Sequence, residues 1–93
     1  MSIVLTNYFS QNIISMEVMG LTVKVHSNLK AIMDERGLSV RQVSRDIDYP
    51  FESVRILYND ASERYPRELL SRLCNYLDVS VHRLLIEKDE PVD

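Results

Sequence analysis

Apolar residues recur along this chain with two different periods, and the change of period divides it. Ile14, Met16 and Val18 alternate with Ser15 and Glu17, and after Gly20, Leu21, Val23 and Val25 alternate with Thr22 and Lys24. Period two on both sides of a glycine predicts a β-hairpin. Residues 2–9 add a third extended piece or a short helix. From His26 the period lengthens. Leu29, Ile32 and Met33 fall at i, i+3 and i+4, which predicts a first helix over 26–37. Ser27 or Asn28 can cap its start and Gly37 supplies a left-handed stop. Ser39 caps a second helix, in which Val40, Val43 and Ile47 form the buried stripe and Arg41, Gln42 and Arg45 point outward. Asp48, Tyr49 and Pro50 interrupt it, and Pro50 suits the first turn of the next helix. Over 50–59, Phe51, Val54, Leu57 and Tyr58 cluster on one side. Glu52, Ile56 and Asn59 gather opposite, flanked by Ser53 and Arg55. A polar loop leads to Pro66, which opens a fourth helix on Leu69, Leu70, Leu73, Cys74 and Leu77. Asp78 and Val79 then turn, and Ser80 caps a short last helix with Val81, Leu84 and Leu85 inward and His82 exposed. Beyond Glu87 the chain is expected to fray.

Composition changes this picture little. The chain has 93 residues, 45% of them hydrophobic and 27% charged, which suits one small soluble domain. No apolar run reaches the roughly 18 residues that cross a bilayer. The opening MSIVLTNYF lacks the basic residues and cleavage site of a secretory signal, so a cytoplasmic location is expected. One cysteine excludes a disulfide framework within the chain and a metal cluster built on cysteines. Cys74 on its stripe reads as a small core hydrophobe, and His26 as a surface side chain.

Charge matters through its distribution. The net value is −3, yet residues 87–93 hold four acids against one lysine, while 23–86 hold ten Lys/Arg against nine Asp/Glu. Three regions follow: an apolar arm over 1–22, a near-neutral domain over 23–86 and an acidic tail over 87–93. A bare apolar arm makes a poor monomer surface. It either pairs with a second subunit or covers its own domain, and a start at Met16 or Met19 is a third reading.

The stretch 39–60, SVRQVSRDIDYPFESVRILYND, reads as helix, sharp turn and second helix with two unlike faces. That is the appearance of a helix-turn-helix, whose second helix enters the DNA major groove. The surroundings extend the likeness. LKAIMDERGLSVRQVS, then VRILYND, then ELLSRLCNYLDVSVHRLL make residues 24–87 resemble the phage-repressor (lambda repressor/Cro, XRE-type) helix-turn-helix family. The resemblance implies an all-α, five-helix domain, to which the alternation adds a short extended or hairpin arm. It also implies sequence-specific binding of double-stranded DNA by a homodimer, as a repressor-like transcriptional regulator. Carried over by position, the base-reading candidates are Phe51, Glu52, Ser53, Arg55 and Ile56. The phosphate candidates are Arg41, Gln42, Asn59 and Arg64. Three positions depart from the family's usual residues: Val40 for a polar residue after the cap, Ser44 for alanine and Asp48 for glycine.

A second reading uses the same fold to bind a protein, as an antirepressor, antitoxin-like partner or inhibitor. A basic strip along Arg41, Arg45, Arg55 and Arg64 would favour DNA, and an apolar patch around Phe51 and Ile56 a protein. An enzyme is not expected. The close carboxylate pairs Asp34/Glu35 and Asp46/Asp48 read as solvated helix ends, two glycines make no phosphate loop, and no cofactor is implied.

Overall fold

The computed structural model describes residues 21–91. In chain order these form β1 (Leu21–Ser27), α1 (Leu29–Arg36), α2 (Val40–Ile47), α3 (Phe51–Tyr58), α4 (Arg67–Leu77), α5 (Val81–Leu84) and β2 (Leu85–Pro91). Two compact units divide the chain. One comprises residues 25–86, and the other has 21–24 and 87–91 as its described residues.

The helical stripes fall where the period places them. Leu29, Ile32 and Met33 of α1, Val43 and Ile47 of α2, Val54 and Leu57 of α3, Leu69, Leu73 and Leu77 of α4, and Leu84 of α5 form one buried cluster. Each side chain removed from water contributes about 1.5–3 kcal/mol. An exposed ion pair such as Lys30–Asp34, at 3.1 Å, contributes little beside this, because water screens it. The core therefore holds the helices together, and the surface charges are available for other work.

Helix ends follow local chemistry. Ser39 accepts the Gln42 N–H at 3.1 Å, as a capping serine should. At α1 the capping side chain is Ser27, which accepts the Leu29 N–H at 3.1 Å. Asn28 instead donates its amide to the Arg83 carbonyl at 3.0 Å. Gly37 takes φ 69° beyond α1, and the Leu38 N–H returns to the Met33 carbonyl at 2.9 Å. Ser80 lies before α5 without a side-chain cap; its carbonyl accepts from Arg83 and Leu84.

Several expectations need correction. The fold is not purely α, because β1 and β2 pair in a two-stranded sheet. The Asn28 N–H bonds the Leu84 carbonyl at 2.8 Å, joining the end of β1 to the start of β2. The two strands therefore run antiparallel. Leu21, Val23 and Val25 are extended as their alternation predicts. The hairpin partner expected over Ile14 to Val18, the extended piece over 2–9 and the rest of the apolar arm up to Gly20 lie outside the described residues. The first helix starts at Leu29 rather than His26, since β1 runs through Ser27. The expected fraying from Glu87 does not occur, because β2 continues to Pro91. Leu85 belongs to that strand, and Val81, expected inward, is 45% exposed. A helix of four residues has room for one inward position, and Leu84 takes it.

Candidate nucleic-acid interface

Residues 39–59 build a helix-turn-helix from short-range rules. α2 presents Arg41, Gln42 and Arg45 to solvent while Val43 and Ile47 are buried and Val40 is half-buried. Ser44, at 9% exposure, is the one buried polar residue of the core region among the described residues. Its hydroxyl donates to the Tyr49 carbonyl at 2.6 Å, so a serine serves where the family favours alanine. Asp48 ends α2 in the left-handed region at φ 56°, with the Tyr49 N–H returning to the Ser44 carbonyl at 3.1 Å. Aspartate can occupy this region, which accounts for the missing glycine. Pro50 stays extended, at φ −55° and ψ 136°, and starts α3 as its cap rather than within its first turn.

No motif in the sequence marks Arg72, yet it fixes this turn. Its Nη1 donates to the carbonyls of Ile47 at 2.8 Å and Asp48 at 2.9 Å, and its Nε to Glu68 at 2.8 Å. These carbonyls have no partner inside α2, so a side chain of α4 satisfies the end of α2. The Glu68–Arg72 spacing of four is visible in sequence, but the carbonyl contacts are not.

α3 projects Glu52 and Arg55 outward, and Asn59 just beyond its end is exposed as well. Phe51 differs from expectation. It is 37% exposed rather than core, and the Arg41 guanidinium lies 4.9 Å from its ring centroid. Such stacking holds a cation over an aromatic face without neutralising it. Ile56 differs in the opposite sense. It is half-buried with Ser53, because both line a depression of about 310 Å³ closed by Ser62, Glu63, Arg64 and Pro66 with Leu69. The loop after α3 covers the face that periodicity alone leaves open. On the other flank Arg41, Arg45 and Phe51 share a second depression with Ser44, Asp48 and Tyr49.

The loop itself is anchored. Asp60 takes φ 57° and its carboxylate accepts the Ser27 N–H at 2.8 Å and meets His26 Nδ1 at 2.7 Å. His26 is therefore a structural partner of this loop rather than a bare surface side chain. Tyr65 donates to the Val25 carbonyl at 3.2 Å. Asn59 and Arg64 stand exposed on a segment held at both ends.

Electrostatics separates the cations into two classes. Glu52 and Arg55 form a two-bonded pair, Nε to Oε1 at 3.0 Å and Nη2 to Oε2. The hydrogen bond from Arg55 holds the Glu52 carboxyl below its usual range, and the bond to Glu52 raises Arg55 further. Arg41, Arg45 and Arg64, by contrast, are exposed and make no ion pair among the described residues. Of the expected basic strip, three members are available and Arg55 is compensated. The expected apolar patch does not form as such: Phe51 lies under Arg41 and Ile56 lies in the loop depression. At the back of α3, Tyr58 donates to Asp34 at 2.7 Å and Lys30 to the same carboxylate at 3.1 Å. The Tyr58 bond, then that of Lys30, lowers the Asp34 carboxyl.

Residues 28–90 match the family model described as the Cro/C1-type HTH DNA-binding domain. No match was found among curated proteins or among solved structures. No helix among the described residues is long and apolar enough to cross a membrane. With a capped helix, a left-handed turn and a second helix between exposed arginines, spanned by that family match, the chain belongs to the Cro/C1-type helix-turn-helix family of DNA-binding domains.

Proposed function

We propose that this protein is a repressor-like transcriptional regulator that binds a double-stranded operator sequence-specifically, as a homodimer in the cytoplasm. It works without catalytic chemistry or a cofactor. α3 enters the major groove, where Glu52, Ser53 and Arg55 are within reach of base edges, Phe51 stands at its N-terminal edge and Ile56 at the loop side. Arg41 and Gln42 at the start of α2, with Asn59 and Arg64 after α3, serve the flanking phosphates. Occupying the operator excludes polymerase, or contacts it. The observation that carries this reading is the set of exposed arginines on both flanks of α3, Arg41, Arg45 and Arg64, without acidic partners among the described residues. An interface for protein would present the apolar side chains Phe51 and Ile56 together; here one is stacked beneath a cation and the other recessed.

Fluorescence anisotropy tests this directly, with the duplex upstream of the protein's own gene beside a shuffled duplex, at two salt concentrations. Tight, salt-sensitive binding to the first alone is expected. Absence of binding to either at low salt would move the function to a protein partner. Sedimentation of the full chain beside one lacking residues 1–19 tests the dimer: loss of dimers on truncation places the interface in the arm, and retained dimers place it elsewhere.

A further inference from the structure

The Glu52–Arg55 pair lies in the middle of the proposed reading surface. Among the residues of α3 these are the sole acid and the sole base. Both side chains are open to solvent, at 63% for Glu52 and 45% for Arg55. Exposed pairs at this spacing contribute little to stability. The neighbouring Arg41, Arg45 and Arg64 carry no such compensation among the described residues, so of these four arginines Arg55 alone is paired.

Its geometry leaves a defined part of the guanidinium free. A guanidinium has five N–H donors. Glu52 takes Nε–H and one donor of Nη2. Both donors of Nη1 and the second of Nη2 remain, and one from each nitrogen forms the end-on fork. A fork of two parallel N–H groups matches O6 and N7 of guanine in the major groove. Two bonds to Glu52 also fix the guanidinium plane, so less rotamer freedom is lost when that fork engages a base. The adjacent carboxylate cancels most of the attraction that a bare arginine would have for any phosphate.

We infer that Glu52 is a positioning residue that sets specificity, holding Arg55 so that its free Nη1/Nη2 fork reads guanine while its charge adds little to sequence-independent binding. This rests on the duplex-DNA reading above. Glu52 then acts through Arg55, and a direct contact of Glu52 with a cytosine amino group is the competing outcome.

The test uses the full chain and the tightest duplex recovered from a random-sequence pool. That duplex and a shuffled one are titrated by anisotropy over a range of salt. The proteins are the unmodified chain, Glu52→Gln, Arg55→Ala and the double variant. Glu52→Gln is expected to bind the shuffled duplex more tightly, with a log–log salt slope steeper by about one. The ratio of preferred to shuffled affinity should fall about tenfold. In the Arg55→Ala background, Glu52→Gln should leave that ratio unchanged, the signature of one coupled unit. Thermal midpoints close to that of the unmodified chain show that folding is not what changes. An unchanged ratio for Glu52→Gln, or an equal fall with and without Arg55, overturns the inference; the second result would make Glu52 a base reader by itself. Failure of the unmodified chain to bind any duplex overturns the functional reading and this inference together, whereas binding with an unchanged ratio overturns this inference alone.

Discussion

Among the described residues, four carry the chain out of its helices with positive φ: Gly37 at 69°, Asp48 at 56°, Asp60 at 57° and Asp78 at 56°. Only the first is the residue that backbone sterics favour. The left-handed region costs an L-residue about 1–2 kcal/mol, and aspartate is among the few that visit it routinely. The three aspartates differ in what their side chains return. Asp60 accepts the Ser27 N–H and meets His26, whereas the Asp48 carboxylate makes no hydrogen bond or ion pair among the described residues, its carbonyl being the group that Arg72 holds. Substitution by glycine should therefore have opposite signs at the two sites. Asp48→Gly relieves the backbone term and adds roughly 0.5–1 kcal/mol of chain entropy to the unfolded state, so its urea midpoint should rise slightly. Asp60→Gly gains the same relief but loses hydrogen bonds to a carboxylate, each worth about 1.5–3 kcal/mol, so its midpoint should fall. Equal shifts in the two variants would mean that the anchoring of the loop contributes nothing.

At the scale of elements, the direction of α3 depends on three residues of turn, and Arg72 ties that turn to α4. Replacing it by alanine leaves the Ile47 and Asp48 carbonyls without their donor, so the variant should unfold at lower denaturant than the parent. Arg72→Lys should recover only part of this, because one ammonium cannot reproduce the planar fork that serves Glu68 and two carbonyls at once. Denaturant unfolding of the three proteins checks the order, and a lysine variant as stable as the parent would show that charge alone suffices. What could be foreseen here divides along local and non-local lines. The stripes of α1 to α4, the Ser39 cap and the exposure of Arg41, Gln42 and Arg45 follow from spacing within one or two turns. β2 was not legible, since Glu87, Lys88, Asp89 and Glu90 offer no apolar alternation and their strand forms by pairing with β1, far away in the sequence. The sides that periodicity gives Phe51 and Ile56 differ from the observed ones for the same reason. Periodicity fixes the sides of a helix, but the loop over 61–66 and the guanidinium of Arg41 decide which side is covered.

For the molecule as a whole, an acidic total coexists with DNA binding because the charges are unevenly placed. Lys30 is held by Asp34, Arg83 by Glu35, Arg72 by Glu68 and Arg55 by Glu52. Arg36 is turned onto the Leu77 carbonyl. Arg41, Arg45 and Arg64, around α3, stand exposed and outside any ion pair among the described residues, although the full chain carries −3. Such a surface should attract phosphate locally while few counterions are released, so that non-specific affinity stays weak and sequence contacts decide occupancy. Arg41→Ala and Arg64→Ala should each weaken binding to preferred and shuffled duplexes by a similar factor. Each should also lower the log–log salt slope by about one, as loss of a single phosphate contact requires. Arg36→Ala supplies the contrast: it should reduce stability through the α4 carbonyl and leave the slope unchanged. Anisotropy titrations at several salt concentrations separate these outcomes. Slopes that stay the same for Arg41→Ala and Arg64→Ala would remove both arginines from the phosphate contacts and shift the docking face away from the flanks of α3.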